Sequence, residues 1–304
     1  MRGETRDARR ESEPFRTGTV AIVGRPNVGK STLVNALVGA RISITSKRPQ
    51  TTRHRIRGIL TTPATQFIFV DTPGFQTEHK SALNARMNRA VRKSLADVDA
   101  IVLVLEPPVL LSADRAVAAL LPAGAPVIAA VNKVDRVADK SRLLPLLGEI
   151  AALREFAAIV PISAEKGWQL EELTAEIAKL LPAGPAHYPS DDVTDRDERF
   201  LAAEFIREKI FRLLGEEVPY ATTVAVDSFV QEGELRRIHA TVLVDKASHR
   251  AILLGERGER MKKIATAARR DMERLFGGKV FLEVWVRVES GWARDERRLA
   301  RLGY

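Results

Sequence analysis

From residue 18 to about residue 182, short apolar runs alternate with stretches whose apolar positions recur every three or four residues. The runs lie at 20–23, 55–61, 66–70, 100–105, 127–131 and 159–162, and each reads as a strand. Between them, Leu83, Met87, Val91 and Leu95 fall on one helical face. Helical periods also mark 113–121, 143–153 and 168–181, the last with Leu173, Ile177 and Leu180 in register. Strands alternating with helices predict the α/β class, a mainly parallel six-stranded sheet covered on both faces. Ligands of such sheets lie at the carboxyl ends of the strands.

The pattern lapses over residues 183–198, where prolines and aspartates replace any hydrophobic period, and this stretch reads as a linker or extended connection. A different order follows. Residues 199–214 form a helical pattern with Phe200, Ala203, Ile206, Ile210 and Leu213 on one side. Strand patterns at 221–231 and 235–244 flank Gly233, as in a hairpin. Helical stretches at 248–254 and 259–276 and a strand at 279–288 complete an α-β-β-α-α-β sequence, an α+β domain over 199–304 with a C-terminal tail. Trp285 reads as a core residue of the last strand, and the place of Trp292 stays open.

With 304 residues the chain is long enough for these two domains to have separate cores. Its hydrophobic and charged fractions, 45% and 29%, are those of a soluble globular protein, and no apolar run reaches the roughly 18 residues of a membrane span. Residues 1–17 are too charged for a signal peptide and read as a disordered tail. The absence of cysteine excludes disulfides, thiolate metal sites and a cysteine nucleophile, and fits a cytoplasmic protein. The net charge of +9 is unevenly placed. Arg41, Lys47, Arg48, Arg53, Arg55 and Arg57 have no acid among them, and residues 246–270 carry a net of six positive charges. Two such clusters suit a polyanionic partner, and on charge alone solvated faces are an equal alternative.

The chemistry begins where the first strand ends. Gly24-Arg25-Pro26-Asn27-Val28-Gly29-Lys30-Ser31-Thr32 is a GxxxxGKS loop between a strand and a helix. Its backbone N–H groups and the helix N-terminus converge on phosphate oxygens. Lys30 would reach the β- and γ-phosphates, and the Ser31 hydroxyl would meet Mg²⁺. The third strand runs into Asp71-Thr72-Pro73-Gly74, where Asp71 suits Mg²⁺ and the Gly74 N–H suits the γ-phosphate. The fifth runs into Asn132-Lys133-Val134-Asp135. The Asp135 carboxylate would accept from N1–H and the 2-amino group of guanine; adenine offers neither, so an unpaired carboxylate would reject it. Asn132 would tie the base pocket to the phosphate loop, the Lys133 stem would cover the base, and Ser163-Ala164 would offer a backbone N–H to guanine O6. The ligand is thus GTP or GDP. In Gln50-Thr51-Thr52-Arg53, a threonine would complete the Mg²⁺ shell with GTP and release it after hydrolysis.

In the second domain Gly255-Glu256-Arg257-Gly258 joins two adjacent helices, and Arg260, Lys262 and Lys263 follow. GxxG in that element order is the bacterial, type II form of the KH architecture, in which the loop clamps about four nucleotides of RNA.

At this point GRPNVGKST, PQTTRHR, DTPGF, NKVD and SAEKG resemble the Era family of bacterial GTPases, as do LLGERGERMKKIATAARRDME, VFLEVWVRV and SGWARDERRLARLGY; the resemblance covers about residues 16–304. It implies a Ras-like GTPase domain, GTP hydrolysis and a switch cycle, with Thr52, directly before an arginine, as the Mg²⁺ ligand. Ras-like GTPases usually place a water-orienting glutamine directly after Gly74. Here Phe75 stands there, and the family also carries a hydrophobic residue. Related GTPases use an asparagine at Asn27 to hold K⁺ against the phosphates, so Asn27 joins Lys30, Thr52 and Gly74 as a catalytic candidate. The resemblance further implies a monomer that binds the 3′ end of small-subunit rRNA in 30S subunit maturation, with peripheral association at the inner face of the cell membrane. The rival reading is a regulatory GTPase whose main partner is a protein or membrane surface. An ATP-driven RNA remodeller is a weaker reading, opposed by Asp135.

Overall fold

The computed structural model describes residues 14–46, 51–74, 91, 95, 97–214 and 218–292. Six strands, β1 (Arg16–Val23), β2 (Ile56–Thr61), β3 (Thr65–Asp71), β4 (Ala100–Leu105), β5 (Val127–Val131) and β6 (Ala158–Pro161), form one sheet in the order β2-β3-β1-β4-β5-β6. Only β2 runs antiparallel to its neighbour. β4 and β5 are buried along their whole length, as unbroken apolar runs in a parallel sheet should be. Alternate residues feed opposite cores. Val20, Ile22, Val102, Val104 and Ala130 pack with α1 (Lys30–Val38) and α4 (Leu170–Leu180). Ala21, Val23, Ile101, Leu103 and Ala129 pack with α2 (Ser112–Ala119) and α3 (Leu143–Ala151). Most of the 83–95 helical face lies outside the described residues; Val91 and Leu95 are helical and buried.

β1 starts at Arg16, inside the segment expected to be tail, because its polar residues have partners. The Arg16 guanidinium donates to the Leu181 carbonyl at 2.6 Å, and the Thr19 N–H to Asp99 Oδ2 at 2.7 Å. At Gly18 any Cβ would lie 2.7 Å from Asp99 Oδ2.

The 183–198 connection is held by hydrogen bonds to the first sheet and by Val193 packed on its core. The side-chain Oε1 of buried Gln66 accepts from the N–H groups of His187 (2.7 Å) and Tyr188 (3.0 Å). Farther along, Thr194 bridges to Gly58 on the open edge of β2.

The second sheet has the order β7-β8-β9, from β7 (Thr222–Glu232), β8 (Leu235–Val244) and β9 (Lys279–Val288), with β8 parallel to β9. Its inner face packs on α5 (Glu198–Leu213), α6 (Ala247–Leu254) and α7 (Glu259–Phe276) through Phe205, Ile206, Ile210, Ile238, Val242, Ile264 and Met272. The α-β-β-α-α-β order is the one expected. Helix α5 departs from its one-sided pattern: Leu213 is exposed, whereas Glu204, Arg207, Glu208 and Lys209 are buried. That charged face meets the first domain, and ion pairing makes its burial tolerable. Among the described residues no helix is long and apolar enough to cross a membrane.

Candidate functional site

The loop between β1 and α1 turns on left-handed residues, Asn27 at φ 66° and Gly29 at φ 103°. A Cβ on Gly29 would lie 2.3 Å from the Asn132 amide nitrogen, so only glycine fits. The buried Lys30 ammonium donates to the carbonyls of Gly24 (3.1 Å) and Arg25 (2.9 Å), closing the loop on itself. Burial pushes Lys30 down to about 8; the nearby Asp71 opposes this and Arg25 adds to it. Val28 is core, and it serves the loop through its carbonyl. Arg25 turns away from the cleft to pair with Glu106 and Asp114, each at 3.1 Å.

Three oxygens meet beside Lys30. Ser31 Oγ lies 2.8 Å from Thr52 Oγ1 and donates to Asp71 Oδ2 at 2.8 Å, and Thr52 Oγ1 donates to the same oxygen at 3.4 Å. Ser43, which no motif singled out, donates to it as well. Burial drives the Asp71 carboxyl upward, against hydrogen bonds from Ser43 and Ser31 and the Lys30 charge. Its other oxygen, Oδ1, is buried with no hydrogen-bond partner. Clustered hydroxyls and an unsatisfied carboxylate are the donor set of a small hard cation, and Mg²⁺ fits it. Thr51 points elsewhere, to Ser46 Oγ at 3.1 Å, which favours Thr52 as the ligand.

Thr72 is a correction. Its hydroxyl donates to the Ile22 carbonyl at 2.8 Å and is fully buried, so it anchors β3 to β1 and does not face a ligand. Gly74, after Pro73, presses its backbone on the phosphate loop; a Cβ there would lie 3.0 Å from the Pro26 Cα. Phe75 lies outside the described residues, as do Lys47, Arg48 and Gln50.

At the base end, Asn132 donates to the Val28 carbonyl (2.8 Å) and accepts from the Ala164 N–H (2.9 Å), joining the two loops as expected. That second bond, and one from the Ser163 N–H to the Trp168 carbonyl at 3.2 Å, occupy the N–H groups of the segment from which one was expected to meet guanine O6. The Lys133 ammonium reaches the Asn27 carbonyl at 2.6 Å. Asp135 Oδ1 is buried and has no hydrogen-bond partner among the described residues. A cavity of about 1080 Å³ runs from Lys133 past Asn27, Lys30, Ser31, Thr32 and Thr52, and Phe211 and Arg212 of α5 wall its far side. Arg212 is held there by its bond to the Thr45 carbonyl, 167 residues earlier, beyond the reach of any motif.

Arg41, Arg53 and Arg57 of the first basic cluster are engaged within the fold. Arg41 pairs with Glu208 and with Asp271 (2.6 Å), where Lys209 also converges. Arg53 donates to the carbonyls of Thr222 (2.9 Å), Pro219 and Tyr220 (both 3.2 Å), with its guanidinium over the Phe211 ring. Arg57 pairs with Asp195. Buried acids and carbonyls of the second domain therefore consume charge that composition alone assigned to a polyanion.

In the second domain Gly255 ends α6 and Gly258 opens α7, with Arg257 left-handed between them at φ 47°. No atom lies within 4 Å of a Cβ on Gly258, so the loop surface is open there. Glu256, Arg257, Lys262 and Lys263 are exposed, and Arg260 folds back onto the Ile252 carbonyl. Trp285 departs from the expected core position, and Trp292, whose place was open, is core. Trp285 is 62% exposed, because its even-numbered neighbours in β9 take the inner face, while Trp292 is fully buried with its indole N–H on the Ala221 carbonyl.

Fold and site together define a P-loop GTPase domain joined to a KH domain. A family model described as a 50S ribosome-binding GTPase matches residues 19–133, and a KH domain model matches residues 217–293. The GTPase Era of Chromobacterium violaceum is 55% identical over 290 residues, 95% of this chain and 98% of that protein; the one of Nitrosomonas eutropha is 53% identical with the same coverage. The crystal structure of a point variant of Era from Aquifex aeolicus bound to GDP·AlF4⁻ superposes with a TM-score of 0.92 at 37% identity, covering 95% of this chain and 99% of that one. Era in complex with MgGDPNP and nucleotides 1506–1542 of 16S ribosomal RNA gives 0.91 at the same identity and coverage. The chain belongs to the Era family of GTPases, and it hydrolyses GTP.

Proposed function

We propose that this chain is a cytoplasmic GTP-driven switch whose KH domain binds the 3′ end of small-subunit rRNA during 30S assembly. One observation carries the coupling. Residues 41–53 place Ser43 and Thr52 on Asp71, and the same segment sends Arg41, Thr45 and Arg53 into the KH domain. A change at the γ-phosphate that moved Thr52 would pull on Arg53, the next residue, and so on the KH backbone. The relative solved with 16S rRNA supports the choice of RNA.

In this reading Gly24 to Thr32 cradle the phosphates, with Lys30 leaving the loop carbonyls for the β- and γ-phosphate oxygens. Asp135 takes the guanine edge, Asn132 and Lys133 lock the base loop to the phosphate loop, and the Gly74 N–H meets the γ-phosphate. Ser31, Thr52 and Asp71 would hold Mg²⁺, which supplies positive charge to the phosphate oxygens when bound. Asn27 lies where it could share K⁺ with those oxygens, so hydrolysis should run several-fold faster in potassium than in sodium. Asn27→Ala should abolish that gain; equal rates in the two salts overturn it.

Gly255 to Gly258 would lie along the RNA backbone, with Arg257, Arg260, Lys262 and Lys263 near phosphates. The test is a titration of labelled RNA carrying the 16S 3′-terminal sequence against the full chain, at rising NaCl. A clamp on about four single-stranded nucleotides predicts a log–log slope of roughly −3. Absence of binding, or a flat salt response, contradicts the RNA reading.

A further inference from the structure

Strand β4 ends at Leu105, and the next residue, Glu106, receives cations from two different loops. Arg25 of the phosphate loop meets Glu106 Oε2 at 3.1 Å, and Lys133 of the base loop meets Oε1 at 2.8 Å. The Lys133 ammonium has a second acceptor, the Asn27 carbonyl at 2.6 Å. Arg25 is gripped again by the buried Asp114, at 3.1 Å. The three side chains Arg25, Glu106 and Lys133 are only about one-fifth exposed, so solvent screens these pairs less than surface pairs. Glu106 does not line the cavity, whereas Lys133 does.

We propose that Glu106 is a positioning residue of the nucleotide site. It fixes the Lys133 ammonium at the lip of the cleft and thereby holds the base loop in register with the phosphate loop. The physical reason lies in the lysine itself. A four-carbon stem loses much rotamer freedom when it covers a base, and a carboxylate anchor imposes that loss before the ligand arrives. Without Glu106 the ammonium keeps only the Asn27 carbonyl, and the stem leaves the base face more often. Arg25 keeps Asp114, so the phosphate loop is less affected. Because the stem covers the base equally in substrate and product, this is uniform binding. Losing it raises KM and the Kd for GDP together and leaves kcat unchanged.

This inference rests on reading the cleft as a guanine-nucleotide site, and a double-mutant cycle separates the two. Kd for GDP is measured for the full chain, Glu106→Gln, Lys133→Met (which keeps the stem) and the double variant. Each single change should weaken binding about tenfold, and the double variant little more than either one. In a parallel cycle Asp114→Asn and Lys133→Met should multiply their effects. Glu106→Asp retains the charge and should recover part of the loss; it replaces Glu106→Gln in the cycle if that variant fails to fold. Multiplicative losses for Glu106 and Lys133, no recovery with aspartate, or a fall in kcat at constant KM each overturn the role of Glu106. Failure of the unaltered chain to bind GDP overturns the guanine-nucleotide reading instead.

Discussion

The nucleotide cleft and the 255–258 loop are both glycine-bounded turns leading into a helix, and they are built in opposite ways. In the cleft the buried polar groups are tied to protein partners, and two carboxylates each keep one buried oxygen without one among the described residues. Lys30 holds two carbonyls, Asn132 joins two loops, and Asp71 gathers three hydroxyls while keeping one oxygen unpartnered. In the KH loop Gly258 faces open space, and Arg257, Lys262 and Lys263 stand in solvent. A cleft of the first kind stores its specificity in fixed hydrogen bonds that water and salt reach poorly. A loop of the second kind relies on screened charge and backbone access. Changes in the cleft should therefore have larger and less salt-sensitive effects than changes in the loop.

The largest effect should come from Asp135, whose buried oxygen awaits a donor. Asp135→Asn exchanges an acceptor for an amide suited to xanthine. The preference for GTP over XTP should fall by roughly a thousandfold or more, read by titrating both nucleotides. An unchanged preference would remove the residue from base recognition.

Lys30 gives the next effect, through pH. In the nucleotide-free fold it is held at about 8, below its ordinary 10.5. Between those pH values the unfolded chain binds a proton that the folded chain has lost, so Lys30 makes stability rise with pH across that window. The contribution is of order 3 kcal/mol. Denaturant midpoints at pH 7.5 and about pH 10 should separate less in Lys30→Met than in the unaltered chain, since the variant has no such group to titrate. Equal separation would mean that the ammonium is not depressed.

The KH loop should respond more modestly. Gly258→Asp adds a side chain and a negative charge where RNA phosphate would pass. RNA affinity should drop by more than about tenfold, with GTP affinity within about twofold. A simultaneous loss of GTP binding would show that the two regions are not separable in this way.

The same contrast explains what the amino-acid order disclosed. That Gly29, Lys30, Ser31, Asp71 and Asn132 meet around one cleft was legible, because the chemistry proposed for it demands one residue type at one spacing. The six strands and the α-β-β-α-α-β order were legible because apolar periodicity follows burial. Ser43, Glu106, Phe211 and Arg212 were not, since their place depends on chain segments that meet only after folding. Arg41 and Arg53 misled for the same reason: a count of charge does not show that Glu208, Asp271 and the Thr222 carbonyl wait opposite. Trp285 misled because one strand residue in two faces outward, and size alone does not say which.

Arg53, beside Thr52, is the most direct link between the two regions. RNA affinity should be measured for the full chain loaded with a non-hydrolysable GTP analogue and with GDP, beside the same pair for Arg53→Ala. The two affinities of the unaltered chain should differ by about fivefold or more, a coupling of about 1 kcal/mol. In Arg53→Ala their ratio should move close to one, while the affinity for GDP itself stays within about twofold. A ratio in Arg53→Ala as large as in the unaltered chain, with both proteins folded, would contradict the claim that this arginine carries the state of the nucleotide to the KH domain.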